Sequence, residues 1–409
     1  MAKGEIITAR VERIASGGAG IARPEGKSVF VELTAPGDLA CFRIRREHKT
    51  WAEAELLEIK EASPFRVAAR CPLYGRCGGC SLQHMSYEAQ LDAKTAILKD
   101  AFTRIAGFSP PEIRLRPSQP FEYRNRVQFH KIEEFNCPSK DICALGSSGI
   151  KSFHCSKHWF KTSLGFMERK SSRLAALDDC PVADAGIRAA LKERGIQPPD
   201  KKRFTVYSHG KTFLVEGGNE RGYVSILGRE LALDARVFFQ SNAVMLELLV
   251  ADLVEAAQAA DRNLPLADIY CGVGTFAAFL GAGFSGVDML EENESALALA
   301  RENVRGKNLN FYAAKDSAWI KIAEARQKKS WGFMVLDPPR EGLSGPFAKW
   351  LAANGGELAA YVSCDPATLA RDSRILAEGG YTLKELTLYD FYQQTAHIES
   401  LALFARSGQ

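Results

Sequence analysis

The sequence predicts an α/β protein: a doubly wound sheet over residues 236–409, preceded by a small β-barrel at 1–62 and a mostly β middle region at 63–235. From Phe238 onward apolar strands alternate with helical stretches, the pattern of a parallel sheet covered on both faces. Residues 1–62 hold short alternating strands cut by glycine and proline turns, as a small closed barrel requires. A chain of 409 residues also exceeds the roughly 250–300 at which a single core stops growing.

The barrel strands are ITARVERI, SVFVELT, LACFRIRR and AEAELLEI, with turns at Ser16–Gly20, Pro24–Gly26 and Pro36–Asp38. Arg43, Arg45, Arg46 and Lys49 cluster on one strand; phosphates and solvent are equally good partners for such a face. Cys71, Cys77 and Cys80 then crowd together, followed by a helical stretch at 87–106. The doubly wound part reads as a helix at 241–260, strands ADIY (267–270) and SGVD, and a helix at 292–305. Strands NFYAA, FMVLD (333–337) and LAAYVS (358–363) continue it, and ligands of such sheets bind at the strands' carboxyl ends.

Composition narrows the class. At 46% hydrophobic and 25% charged the chain is ordinary for a globular protein, and no apolar run reaches the ~20 residues of a membrane helix. The start, MAKGEIITARVERI, lacks a signal peptide's apolar stretch, so a cytoplasmic location and no membrane partner are expected. A monomer is the expected state. The net charge of +4 permits a nucleic-acid partner without arguing for one. Ten cysteines in a reducing compartment are not structural disulfides; crowded ones read as metal or cluster ligands, isolated ones as core residues or nucleophiles.

Five short motifs carry chemistry. DIYCGVGTFA (268–277) is a strand, a glycine turn and a helix, where backbone can approach a ligand closely. Gly272, Gly274 and Ala277 also fit a loose dinucleotide pattern, which leaves a nicotinamide cofactor open. Asp288 closes the next strand, SGVD, where an acid can bond ribose hydroxyls. Asp337-Pro338-Pro339-Arg340 and Ser363-Cys364-Asp365-Pro366 leave two further strands on the ligand side. Near the C-terminus His397 and Glu399 alternate on one face of a strand, either as catalytic groups or as a solvated polar pair.

In order and number these pieces resemble the RNA 5-methyluridine (uracil-C5) methyltransferase family, in particular its iron–sulfur-containing bacterial 23S rRNA branch. The resemblance spans nearly the whole chain. It runs from GGAGIARPEGKSVFVELTAPGD through CPLYGRCGGCSLQHMSYEAQLDAK, YRNRV, GFMERKSSRLAALDDCP and FFQSN. It continues in DIYCGVGTFA, LDPPREGL, YVSCDPATLARD and DFYQQTAHIE. It implies an OB-like TRAM barrel for RNA binding at 1–62, a mostly β central iron–sulfur domain at 63–235, and a Rossmann-like S-adenosylmethionine-dependent methyltransferase domain at 236–409. The helix at 87–106 is free to pack on that last domain. The implied substrate is RNA, 23S rRNA ahead of tRNA.

The resemblance also assigns residues. Uracil C5 is too poor a nucleophile to take a sulfonium methyl unaided, and a thiolate adding at C6 turns the ring into an enolate that can. Cys364 is the implied nucleophile and Glu399 the acceptor of the C5 proton. The thiolate needs an electropositive setting, for which Arg340 is a candidate. Gln240, Tyr270, Gly272, Thr275, Asp288, Asp316 and Asp337 are the implied donor-binding residues. Cys71, Cys77, Cys80 and Cys180 suit zinc or an iron–sulfur cluster by spacing alone, and the resemblance favours [4Fe–4S] in a structural or RNA-positioning role. An aromatic usual in amine methyltransferases is replaced by Arg340. A nicotinamide-dependent oxidoreductase would explain the glycine loop and cysteines but leaves DPPR, SCDP and HIE without a task. An idle RNA-binding protein need not keep both Cys364 and Glu399.

Three departures from the family pattern stand out. Asp288 occupies a place where glutamate is usual, and Tyr392 replaces a proline. A longer segment at 130–163 carries Cys137, Cys143, Cys155 and His158, spaced C-x5-C-x11-C-x2-H: a second metal site, an RNA-contacting loop, or ordinary structure.

Overall fold

The computed structural model describes residues 1–136, 159–325 and 331–406. Strands β1 (Ile6–Ile14), β2 (Gly20–Ala22), β3 (Ser28–Val31), β4 (Leu39–Glu47) and β5 (Trp51–Glu61) close into a barrel in the order β1-β2-β3-β5-β4. Alternation drives the closure: Ala40, Phe42 and Ile44 of β4 and Ala52 of β5 point inward onto Val11, Val29 and Val31. Arg43 and Arg45 point outward, and both pair with Glu55 on β5. The basic face is therefore partly neutralised by its neighbour strand.

Helix α1 (Tyr87–Ala101) starts where Ser86 Oγ accepts from the Ala89 N–H at 3.3 Å, and runs into a π-helical turn at Phe102–Ala106 that left-handed Gly107 ends. Its apolar face (Ala89, Ile97, Leu98) packs into a core shared with Leu369 and Leu376 of the C-terminal region. Strand β6 (Ile113–Arg116) goes the same way and adds itself to the C-terminal sheet. A second sheet has the order β11-β10-β7-β8-β9. It comprises β7 (Arg126–Asn136), β8 (Trp159–Met167), β9 (Leu174–Ala176), β10 (Arg203–His209) and β11 (Thr212–Val215), with α2 (Ala185–Lys192) packed on Phe129 and Phe204. Cys137, Cys143, Cys155 and His158, the second metal set raised by the sequence, lie outside the described residues. The hairpin β12 (Arg221–Ile226) and β13 (Arg229–Asp234) buries Val224, Ile226, Leu231 and Leu233 in the C-terminal core.

That core belongs to α3 (Ala243–Ala256), β14 (Leu266–Ile269), α4 (Thr275–Leu280), β15 (Val287–Glu291), α5 (Glu294–Asn303), β16 (Leu309–Ala313) and α6 (Asp316–Ala325). The series continues in β17 (Phe333–Leu336), α7 (Gly345–Asn354), β18 (Leu358–Ser363), α8 (Pro366–Glu378), β19 (Tyr381–Tyr389) and β20 (Glu399–Arg406). Strands β14 and β17 are buried on both faces, as parallel strands between helical layers must be. The sheet order is β16-β15-β14-β17-β18-β20-β19-β6, with β20 antiparallel to both neighbours. From β14 the chain moves outward to β16 and then crosses to β17 on the other side, which opens a crevice at the carboxyl ends of β14 and β17. Among the described residues no helix is long and apolar enough to cross a membrane.

Candidate active site

The crevice is shaped by the turn after β14. Tyr270, Gly272 and Gly274 all take positive φ there, at 65°, 54° and 78°. A Cβ on Gly272 would meet open space, whereas one on Gly274 would lie 2.8 Å from Val304 Cγ2 and 3.1 Å from the Ala300 Cα, so only the second glycine is needed for close packing on α5. Buried Asp268 braces the turn from beneath: its Oδ2 accepts from the Ala277 N–H at 2.9 Å, and burial pushes the acid up to about 7. The Gly272 N–H donates to Glu291 Oε2 at 3.0 Å, and the Tyr270 hydroxyl donates to Asp316 Oδ2 at 2.7 Å.

The cleft so formed has a volume of about 910 Å³ and is lined by Gln240, Tyr270, Gly272, Thr275, Glu291, Asp316 and Asp337. The sequence places Asp288 here too, and the structure does not. Strand β15 runs three residues past Asp288, which is 1% exposed and accepts hydrogen bonds from Trp331 Nε1 and Asn310 Nδ2, each at 2.9 Å. The acid that ends the strand in the cleft is Glu291. It was legible as the last residue of the apolar run SGVDMLE, but the first acid of that run reads equally well as the strand's end.

A second group gathers at the ends of β18 and β20. Ser363 pairs with Ser400 in their antiparallel ladder, so Cys364 and Glu399, the next residues outward, stand opposite each other. His397 precedes β20 rather than sharing its face with Glu399, yet both line the cleft. Arg340 Nη2 lies 3.1 Å from His397 Nδ1. His397 keeps an exposed edge, yet the protein around it, with Arg340, Arg124 and Lys94 adding positive charge, lowers its pKa to about 4. Tyr392 packs edge-on against the same imidazole at 5.7 Å.

The electrostatics reverse the expectation of an electropositive thiol. Burial pushes Cys364 up to about 12, the carboxylates of Glu399 and Asp337 push the same way, and Arg340 opposes them. Burial also holds Glu399 well above the usual carboxylate range, with Asp337 adding to it. Asp337 itself is pushed up to about 7, first by burial and then by Asp268 and Glu291. Two acids with raised pKa thus flank one thiol in a site that favours neutral forms.

Beyond Cys364 lies another cavity, of about 650 Å³, which shares Gly79, Arg124, Arg340, Cys364 and His397 with the first. Its walls come from the barrel (Ser16, Gly17, Glu32), the second sheet and the C-terminal domain. Cys71, Cys77, Cys80 and Cys180 all line it as free thiols. Burial raises Cys80 to about 12 and Cys180 to about 11, and each feels another of the four as a like charge. The structure therefore gathers the four, but among the described residues no three His, Cys, Asp or Glu side chains are placed to grip one metal ion.

A donor-sized cleft at the switch point of this sheet, beside a thiol and an acid, defines the class: S-adenosylmethionine-dependent methyltransferases. The family model for tRNA (uracil-5-)-methyltransferases matches residues 208–407, and that for the TRAM domain matches residues 2–57. The chain is 33% identical to an uncharacterized RNA methyltransferase of Treponema denticola, over 94% of this chain and 95% of the relative. It is 31% identical to the 23S rRNA (uracil(1939)-C(5))-methyltransferase RlmD of Shewanella amazonensis, over 97% and 95% respectively. The crystal structure of Pyrococcus abyssi tRNA (uracil-54, C5)-methyltransferase with S-adenosyl-L-homocysteine has the same fold, with a TM-score of 0.67 and 23% identity, covering 98% of this chain and 100% of that one. The chain belongs to the RNA uracil-5-methyltransferase family, with an N-terminal TRAM domain.

Proposed function

We propose that this chain methylates carbon 5 of a uridine in 23S rRNA, with Cys364 as covalent nucleophile and Glu399 as proton acceptor. The observation that carries this reading is the β18–β20 register, which brings Glu399 of the larger cleft opposite Cys364, a residue both cavities share. Cys364 Sγ adds to C6 of the uracil, and the ring's electrons move toward C5 as an enolate. C5 takes the methyl group from the donor's sulfonium, leaving S-adenosylhomocysteine. Glu399 then removes the C5 proton, the freed electron pair forms the C5–C6 double bond, and the C6–S bond breaks to return Cys364. A raised carboxylate pKa makes Glu399 the stronger base for this step. Bound donor would bring a positive sulfonium into a cleft lined by Asp337, Glu291 and Glu399, and positive charge near the thiol favours its ionisation.

Gln240, Tyr270, Gly272, Thr275, Asp316 and Asp337 hold the donor in this reading, with Glu291 in the ribose-binding place. The preference for 23S rRNA rests on relatives of that printed activity matched over nearly the whole chain. We assign the four cysteines to a [4Fe–4S] cluster rather than zinc. This choice follows the family resemblance, and the four thiols share one cavity. When bound the cluster would tie the Cys71–Cys80 loop to Cys180.

The test is Glu399→Gln with unmethylated RNA and donor. Methylated RNA covalently attached to protein should survive denaturing electrophoresis, and should vanish when Cys364→Ala is added. Normal turnover by Cys364→Ala would overturn the mechanism. Mapping 5-methyluridine in rRNA and tRNA from cells with and without the gene decides the substrate.

A further inference from the structure

The base reaches its position on a segment whose fixings lie largely outside its own domain. Between Tyr389, which ends β19, and Glu399, which starts β20, the chain passes through Gln394 in the left-handed region, φ 65°. The Gln394 carbonyl accepts from the Ser81 N–H at 2.9 Å and the Leu82 N–H at 3.0 Å. Its own N–H donates to Gln90 Oε1 at 3.0 Å, and Gln90 Nε2 returns a bond to Gln394 Oε1 at 3.1 Å. Two residues on, the Ala396 N–H donates to Ser81 Oγ at 3.0 Å. The barrel seals this junction, for a Cβ on Gly18 would lie 3.0 Å from Ser81 Oγ and 3.1 Å from Ala396 Cβ. Ser81 directly follows Cys80, and Gln90 is buried on α1. None of these bonds touches β18, which carries Cys364.

We propose that Ser81 and Gln90 are positioning residues for proton removal: they hold the segment before β20 in its strained course, so that Glu399 stands over the C5 proton of the adduct. The inference rests on the reading of Glu399 as the base. It separates two halves of the reaction. Addition of Cys364 to C6 and methyl transfer depend on β18 and the donor cleft, while proton removal and release of Cys364 depend on the Cys80–Leu82 segment and α1.

The experiment compares the full-length wild type with Ser81→Ala, Gln90→Ala and Glu399→Gln. The probe is total RNA from cells lacking the gene, fed ordinary or 5-deuterated uridine. Ser81→Ala should turn over roughly tenfold more slowly, as expected for a base displaced by a fraction of an ångström. It should show a deuterium effect on turnover larger than the wild type's and accumulate methylated protein–RNA adduct, while S-adenosylhomocysteine affinity stays within about twofold of wild type. Gln90→Ala should give the same signature from the helix side. A merely structural role would instead slow adduct formation and release together, with no new deuterium effect, and would overturn the proposal. Adduct in Glu399→Gln but in neither positioning variant overturns this inference and leaves Glu399 as the base. Normal turnover by Glu399→Gln overturns both.

Discussion

Asp288→Asn separates the two acids of β15. The carboxylate of Asp288 accepts from Trp331 Nε1 and from Asn310 Nδ2, both at 2.9 Å, in a site only 1% exposed. An amide of the same shape has one accepting oxygen, so one of the two donors then faces an NH₂ group and loses its bond. A lost hydrogen bond to a charged, buried acceptor costs about 1.5–3 kcal/mol. For a unit of this size that corresponds to a fall in melting temperature of roughly 3–12 °C. Donor affinity, measured by calorimetry with S-adenosylhomocysteine, should stay within about twofold, because Asp288 lies outside the cleft lining. Glu291→Gln should do the reverse, weakening donor binding about ten- to a hundredfold through a lost charged hydrogen bond to ribose. A tenfold or larger loss of affinity in Asp288→Asn with an unchanged melting temperature would refute the assignment and restore Asp288 as the ribose ligand.

Three more outcomes are expected. With the thiol held up by burial and then by Glu399, alkylation of Cys364 in the free enzyme should keep rising with pH past the ordinary thiol value of about 8.5. Glu399→Gln removes a negative neighbour and should move that profile to lower pH; peptide mass spectrometry reads it, and an unshifted profile denies the coupling. Lys94 and Asp390 form an ion pair with both side chains fully buried, so Lys94→Met should cost roughly 3–5 kcal/mol by denaturant unfolding. Adding Asp390→Asn should recover most of it; a loss typical of a surface substitution would contradict the pair's role in anchoring α1. Anaerobically purified protein should be brown with about four irons per chain, and Cys80→Ser or Cys180→Ser should strip the iron while donor binding persists. Colourless protein holding one zinc at these thiols would reject the cluster.

Local physics made much of this molecule readable in one dimension. The barrel strands, the glycine turn at 270–274 and the strand ends at Asp337 and Cys364 depend on alternation, turn residues and apolar runs, all set by neighbours in sequence. Family motifs added the pairing of Cys364 with Glu399, which no spacing rule contains. What remained hidden depends on partners distant in the chain. Residues 288 and 291 stand an odd number apart on β15, so their side chains leave opposite faces of the sheet. Which face is cleft and which is core was settled by Asn310 on the next strand and Trp331 from beyond it. The insertion of β20 antiparallel between β18 and β19 brought Glu399 opposite Cys364, and the recruitment of α1 and β6 tied the middle region to the C-terminal sheet. The charge around the thiol followed from those placements: Asp337, Glu399 and Arg340 reach Cys364 from different strands and loops, and their sum is a property of assembled distances and burial that the order of residues does not express.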